Sequence, residues 1–217
     1  MWNCTENQIE FVFIRHGKTK ANQEKRYLGK TEEPLSELGR EELLGKRYPK
    51  VQSLFISPMV RCRQTAELLY PGLSYQCISE WEEMDFGRFE GKNYEDLKDN
   101  LDYQRWIDSG GTLPFPKGES REEFILRCGR GLEYVLEQLL KQETLKNPPV
   151  GAIVHGGTIM ALLSRYGSCR DYFDYQCKNG EGYRCQVRFR KEDAGRLEKE
   201  SIRITEIEKV AVERGKA

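Results

Sequence analysis

His16 and His155 are the only histidines in the 217-residue chain. Each stands where an apolar run stops and a glycine follows. Phe11-Val12-Phe13-Ile14 leads into Arg15-His16-Gly17, and Ala152-Ile153-Val154 leads into His155-Gly156-Gly157. Imidazole can attack an electrophile or pass a proton near neutral pH. A glycine after it lets the backbone come close to an anion. Gly156-Gly157 also opens a helix-like segment, whose N-terminus favours negative charge. Two such imidazoles, meeting at the carboxyl edge of an α/β sheet where ligands bind, could converge on one phosphate.

The same stretch offers a competing chemistry, because Gly17-Lys18-Thr19 and Gly29-Lys30-Thr31 both look like the end of a nucleotide-binding phosphate loop. Such a loop needs a glycine five positions before the Gly-Lys pair. Those positions hold Val12 and Glu24, so the loop is absent. A cysteine phosphatase needs an arginine six residues after its thiolate to hold the phosphate. The residues six after Cys62, Cys128 and Cys169 are Leu68, Tyr134 and Tyr175, and the other cysteines fail in the same way. An aspartyl-phosphate enzyme would want an Asp-x-Asp pair after an apolar strand, and the chain has none.

The elements that must position the histidines are legible in outline. Phe11–Ile14, Leu54–Ile56 and Ala152–Val154 are short, apolar runs, as strands covered on both faces are. Ser57 and Pro58 suit the N-cap and first turn of a helix through Met59 to Tyr70, and Thr158–Tyr166 is helix-like. Ser36 caps an expected helix from Glu37 to Tyr48, and Ser120–Lys141 reads as a long helix with Phe124, Leu132, Val135, Leu136 and Leu139 on its apolar side. Strands alternating with helices predict an α/β three-layer sandwich, a mostly parallel central sheet with helices on both faces. Tyr183–Arg190 and Ser201–Thr205 alternate as a terminal strand pair ahead of a charged tail. The stretch from 87 to 118, with short helical pieces at Tyr94–Lys98 and Leu101–Ser109 and breakers at Gly110-Gly111 and Pro114-Phe115-Pro116, reads as an insertion over the sheet edge or the site of a single domain, 1–217.

Composition narrows the function classes. Lys plus Arg balance Asp plus Glu at 35 each, so no global field draws the chain to nucleic acid or a membrane surface, and any attraction for an anion is local. The first residues carry neither a basic segment nor a long apolar one, no run approaches roughly 20 apolar residues, and seven scattered cysteines without a CxxC suit reduced thiols, so neither export nor membrane insertion is expected, and a cytoplasmic protein is. No His/Cys cluster has metal-ligand spacing, and no metal or cofactor is expected.

Beyond the histidines, an ordered series carries a resemblance. Arg15-His16-Gly17 with Asn22, Gly29, Pro34-Leu35-Ser36-Glu37-Leu38-Gly39, Ser57-Pro58-Met59-Val60-Arg61, Glu83-Met84-Asp85-Phe86-Gly87-Arg88-Phe89-Glu90-Gly91, Gly118-Glu119-Ser120 and His155-Gly156-Gly157 follow one another. Over residues 11 to about 190 the chain resembles the histidine phosphatase superfamily, the phosphoglycerate-mutase-like group. It is similar above all to the branch with α-ribazole phosphatases and broad-specificity phosphatases. The resemblance implies that His16 is the nucleophile of a phosphohistidine. It implies that Arg15, Arg61 and His155 surround the phosphoryl group, that Glu83 is the proton donor, and that Asn22 and the amides near Gly29 and Gly156 bind substrate. Physically, phosphoryl transfer asks mainly for alignment and for charge stabilisation on equatorial oxygens, which planar guanidinium forks supply. His155 is expected to act charged, and Glu83 must be protonated, so burial should raise its pKa.

Other readings stand beside these. Glu80, Glu82, Glu83 and Asp85 alone would read as a solvated acidic loop, and the family alignment favours Glu83 over Glu82. Lys18 and Cys62 depart from the family pattern. Lys18 reads as a solvated surface residue, with attraction of an anionic substrate as the other reading, and Cys62 as a small packed residue. From Arg88 to Lys117 the cations are Arg88, Lys92, Lys98, Arg105 and Lys117, without the paired arginines of the mutases. Hydrolysis of a small phosphorylated metabolite, with α-ribazole 5'-phosphate one candidate, is therefore expected over a cofactor-dependent phosphoglycerate mutase, a fructose-2,6-bisphosphatase-like enzyme or an inactive phosphoprotein binder. A monomer or homodimer would suffice. Tyr94, Tyr103, Trp106 and Phe115 could line a pocket for a ring-bearing leaving group or be ordinary packing.

Overall fold

The computed structural model describes residues 6–141, 149–168, 171–192, 196–210 and 213–214. Cys4, Cys169 and most of the expected charged tail lie outside them. The elements in chain order are β1 (Glu6–Arg15), α1 (Lys20–Gln23), α2 (Glu37–Leu44), β2 (Lys46–Arg47), β3 (Ser53–Ile56), α3 (Val60–Leu69), β4 (Gln76–Cys77), α4 (Tyr94–Leu97), α5 (Leu101–Asp108), α6 (Arg121–Lys141), β5 (Val150–Val154), α7 (Gly156–Tyr166), β6 (Gly182–Lys191), β7 (Leu197–Lys209) and β8 (Glu213–Arg214).

Six strands form one sheet in the order β4-β3-β5-β1-β6-β7. The first four are parallel, β6 joins β1 antiparallel, and β7 joins β6 antiparallel at the edge. Successive residues of the central strands face opposite layers, as the period of a strand requires. Phe11 and Phe13 pack with Phe124, Leu132 and Leu162 from α6 and α7, whereas Val12 and Ile14 pack with Cys62 and Ala66 of α3. Both faces of β1 are thus covered, which is why its sequence shows no polar alternation. The apolar side expected for α6 is buried throughout, at Phe124, Leu132, Val135, Leu136 and Leu139. No helix among the described residues is long and apolar enough to cross a membrane.

Two helix boundaries differ from the sequence reading. The helix after Ser36 stops at Leu44, not Tyr48, because Gly45 closes it, its N–H donating a hydrogen bond back to the Glu41 carbonyl. Lys46–Arg47 then pairs with Glu213–Arg214, part of the expected tail. The third helix starts at Val60 behind Met59, with no side-chain cap, so Ser57-Pro58 are neither its cap nor its first turn. The Ser57 hydroxyl is engaged 2.7 Å from His155 Nε2. A tertiary partner has taken the capping group.

Candidate active site

The site is set by strand register. Arg15 lies opposite Val154, and Ile56 opposite Ile153, so three adjacent parallel strands end within one residue of each other at the carboxyl edge. The next residues, His16, His155 and Ser57, therefore emerge side by side. The His16 amide donates to the Val154 carbonyl at 2.9 Å and the Ser57 amide to Ile153 at 3.0 Å. The ring centroids of His16 and His155 are 5.1 Å apart, close to the spacing of neighbouring strands.

His16 Nδ1 donates to the Gly17 carbonyl at 2.7 Å, which fixes the tautomer and leaves Nε2 with its lone pair. The ring is only 3% exposed. Burial first, then the charges of Arg61 and Arg15, hold its pKa well below 6.5. It is neutral and nucleophilic across the physiological range. His155 accepts from Arg61 Nε at Nδ1, 3.4 Å, so its proton sits on Nε2 and points to Ser57. Burial, Arg61 and His16 lower its pKa as well. Contrary to the expectation of a charged ring, cationic neighbours and burial keep it uncharged. Cys62 lies beneath, fully buried, its thiol pushed up to about 12 by burial.

The two arginines come from different layers. Arg61, on the first turn of α3, is fully buried and donates to the carbonyls of Gly29 (2.8 Å) and Thr31 (3.0 Å). Those carbonyls are held in place because Glu90 accepts from the amides of Gly29 and Thr31. The Gly29 amide expected to meet substrate is thus taken, and Gly29 serves the site by holding Arg61. It must be glycine, since a Cβ there would overlap the Met84 carbonyl oxygen. Arg15 donates from Nη1 to the Cys177 carbonyl at 2.8 Å, while its buried Nε has no partner among the described residues. A Cβ on Gly156 would stand 3.3 Å from that guanidinium, so the glycine lets Arg15 lie against the start of α7.

Glu83 is 9% exposed, accepts from the Met84 amide at 2.9 Å, and has its pKa raised, burial being the largest cause. Gly157 makes room for it, because a Cβ there would overlap Glu83 Oε1. Of the acidic loop, Glu83 alone is buried, while Asp85 pairs with Lys30 at 2.9 Å. Glu83 lines a cavity of about 370 Å³ together with Arg15, Gly156 and Gly157. Trp106 and Phe115 line it too, whereas Tyr103 is buried in the packing around it and Tyr94 is exposed. A second cavity of about 960 Å³ opens on the other side of Arg15 and is lined by Asn22 and the cations Lys18, Lys25, Arg26, Lys46 and Lys178. Lys18 is not free in it, being paired with Glu42 at 2.6 Å.

Asn22 lies at one remove. Its Oδ1 accepts from the Thr19 amide and from Asn179 Nδ2, which also donates to the His16 carbonyl at 3.1 Å. Asn179, Ser57, Glu90 and Arg127 were not foreseen as site residues. Arg127 donates to the carbonyls of Glu80 (2.9 Å) and Glu82 (3.0 Å) and forms a two-pronged pair with Glu119 (2.9 and 2.8 Å), which clamps the loop carrying Glu83. Only for Ser57 and Glu90, each inside a quoted motif, did the sequence hold a signal. Among the described residues no three His, Cys, Asp or Glu side chains gather to hold a metal.

Comparison with known proteins agrees with this geometry. "Probable phosphoglycerate mutase GpmB" of Photorhabdus laumondii is 26% identical over 175 residues, 71% of this chain and 76% of that protein. The chain spans 36% and 62% of the length of two further curated relatives. The α-ribazole phosphatase of Shigella flexneri superposes with a TM-score of 0.67 at 21% identity, covering 91% of this chain and 96% of that one. Phosphoglycerate mutase from Thermus thermophilus does so with 0.62 at 28%, covering 94% and 100%. A family model described as "Histidine phosphatase superfamily (branch 1)" matches residues 11–193. On that match, with two histidines and two arginines gathered at one sheet edge, the chain belongs to the histidine phosphatase superfamily.

Proposed function

We propose that the chain is a phosphomonoester hydrolase working through a phosphohistidine on His16. The observation that carries this reading is the fixed tautomer of His16, whose bare Nε2 stands beside Arg15, Arg61 and His155 with a buried carboxyl on one side only. Nε2 attacks phosphorus, the P–O bond to the leaving alcohol breaks, and Glu83 gives that oxygen its proton. Water then attacks with Glu83 as base, a P–O bond forms, the P–N bond breaks, and phosphate leaves with His16 restored. Arg15 and Arg61 bear the charge on the equatorial oxygens.

Leaving-group specificity follows from the side on which Glu83 sits. The leaving oxygen must face the 370 Å³ cavity, walled by Tyr27, Phe86, Trp106, Phe115 and Tyr172. Such walls suit a ring-bearing alcohol of a small phosphorylated metabolite, and α-ribazole 5'-phosphate is one candidate. On this reading the whole chain is one histidine phosphatase domain, with residues 87–118 as the insertion over the site. The cation-lined cavity supports the second reading, a phosphoglycerate mutase or fructose-2,6-bisphosphatase-like enzyme, since both need to hold a second anionic group.

The test incubates the protein with phenyl phosphate, α-ribazole 5'-phosphate, and 3-phosphoglycerate with 2,3-bisphosphoglycerate. Free phosphate from the first two, lost in His16→Ala, is expected, together with an acid-labile phosphoenzyme in quenched wild type. Isomer accumulating faster than phosphate would overturn the hydrolase reading in favour of the mutase.

A further inference from the structure

The cavity beside Glu83 holds one cation that neither the phosphoryl centre nor the scaffold uses. On the proposed reading Arg15 and Arg61 serve the phosphoryl group, and Arg127 is paired with Glu119. Arg121, the first residue of α6, also lines this cavity. Its guanidinium forms no ion pair and no hydrogen bond among the described residues. It lies instead over two rings, Cζ standing 5.6 Å from the Tyr172 centroid and 5.7 Å from that of Phe173. Such cation–π contacts use none of the guanidinium's N–H groups as hydrogen-bond donors, so the fork that fits a carboxylate is kept. The buried indole Nε1 of Trp106, on the same cavity, is also without a partner among the described residues.

We propose that this cavity takes a planar leaving group bearing a carboxylate, and that Arg121 is the specificity residue that reads it. The inference rests on the phosphatase reading for the phosphoryl end of the ligand and adds the chemistry of the other end. Charge counting favours a carboxylate over a second phosphate. Arg15 and Arg61 balance the transferred dianion, leaving a single cation in a mostly aromatic cavity whose one acid, Glu83, is protonated in its donor role. One negative charge is matched there, while a second dianion would be buried half-compensated. The neighbouring Trp106 N–H can serve a ring heteroatom or hydroxyl of the same group.

The test uses ligands that need no turnover. Binding of benzylphosphonate, its 3- and 4-carboxy derivatives and the matching carboxamides is measured by calorimetry on the full chain and on Arg121→Met and Arg121→Lys. At least one carboxylate isomer is expected to bind about tenfold tighter than its carboxamide. That ratio should fall to about one in Arg121→Met and stay partly above it in Arg121→Lys. A wild-type ratio near one, a ratio that survives Arg121→Met, or no binding of any phosphonate would overturn the proposal. The corresponding aryl phosphates, assayed in parallel, separate the two readings. Selective phosphonate binding without hydrolysis sinks the phosphatase and leaves the carboxylate site standing, and hydrolysis without carboxylate preference does the reverse.

Discussion

Gly157→Ala places the smallest possible obstacle against the proton donor. The added Cβ would overlap Glu83 Oε1 and stand 3.1 Å from Phe124 Cε1, and Phe124 is fully buried and has nowhere to go. The carboxyl is the partner that yields, by a retreat on the order of 1 Å, and misplacement of that size costs about 10²-fold in rate. Stability moves far less. Alanine early in a helix gains roughly 0.5–1 kcal/mol over glycine, against about 1–3 kcal/mol for overpacking. The assay is kcat/KM on three esters, an alkyl phosphate, phenyl phosphate and 4-nitrophenyl phosphate, which reports the steps up to departure of the alcohol and not hydrolysis of the shared phosphoenzyme, with thermal melting as control. Because Glu83 protonates the leaving oxygen, the alkyl ester should lose about 10²-fold and 4-nitrophenyl phosphate, whose leaving anion is well stabilised, far less. Equal losses on all three esters, or none, would refute Glu83 as the donor.

Three further outcomes follow from the same geometry. Arg127→Met leaves Glu119 unpaired at 15% side-chain exposure and frees the loop carbonyls, so stability should fall by about 2–3 kcal/mol, discounted from the cost of breaking a fully buried pair. Melting shows this, and pairing the change with Glu119→Leu should restore stability but not kcat. Activity needs His16 deprotonated and Glu83 protonated. With the first pKa held well below 6.5 and the second raised above 4.5, kcat/KM should already be on its plateau on the acid side of neutrality and decline as pH rises through the Glu83 value. A profile that climbs through pH 7 would contradict it. For stability the sign is opposite at the histidines. The unfolded chain takes up protons below 6.5 while His16 and His155 stay neutral in the fold, so each removes up to about 1.4 kcal/mol per pH unit on acidification below that value, measurable by urea melts.

The strand ends and their histidines were legible because the information is local. A doubly covered strand is a short apolar run, and an abrupt switch to Arg-His-Gly marks where it reaches the edge. Arg61 and Glu83 were legible only through the family series, since nothing in "SEWEEMD" itself distinguishes Glu83 from Glu82 until burial does. Ser57 misled because an N-cap and a hydrogen-bond partner for a distant imidazole use the same hydroxyl. Gly29 misled because a free amide in the sequence is an amide claimed by Glu90 in the fold.

By itself, then, the sequence determined the principal strands and helices, the chemistry gathered at their ends, and the absence of the other phosphate-binding designs, all of which are written in nearest neighbours along the chain. Only the tertiary structure decided the protonation of His155, the clamp of Arg127 on the acid loop, and the seat of Arg121 over its two rings. Each of these depends on burial and on charges tens of residues away, and neither the dielectric around a group nor the partner across a cavity is encoded in its sequence neighbours.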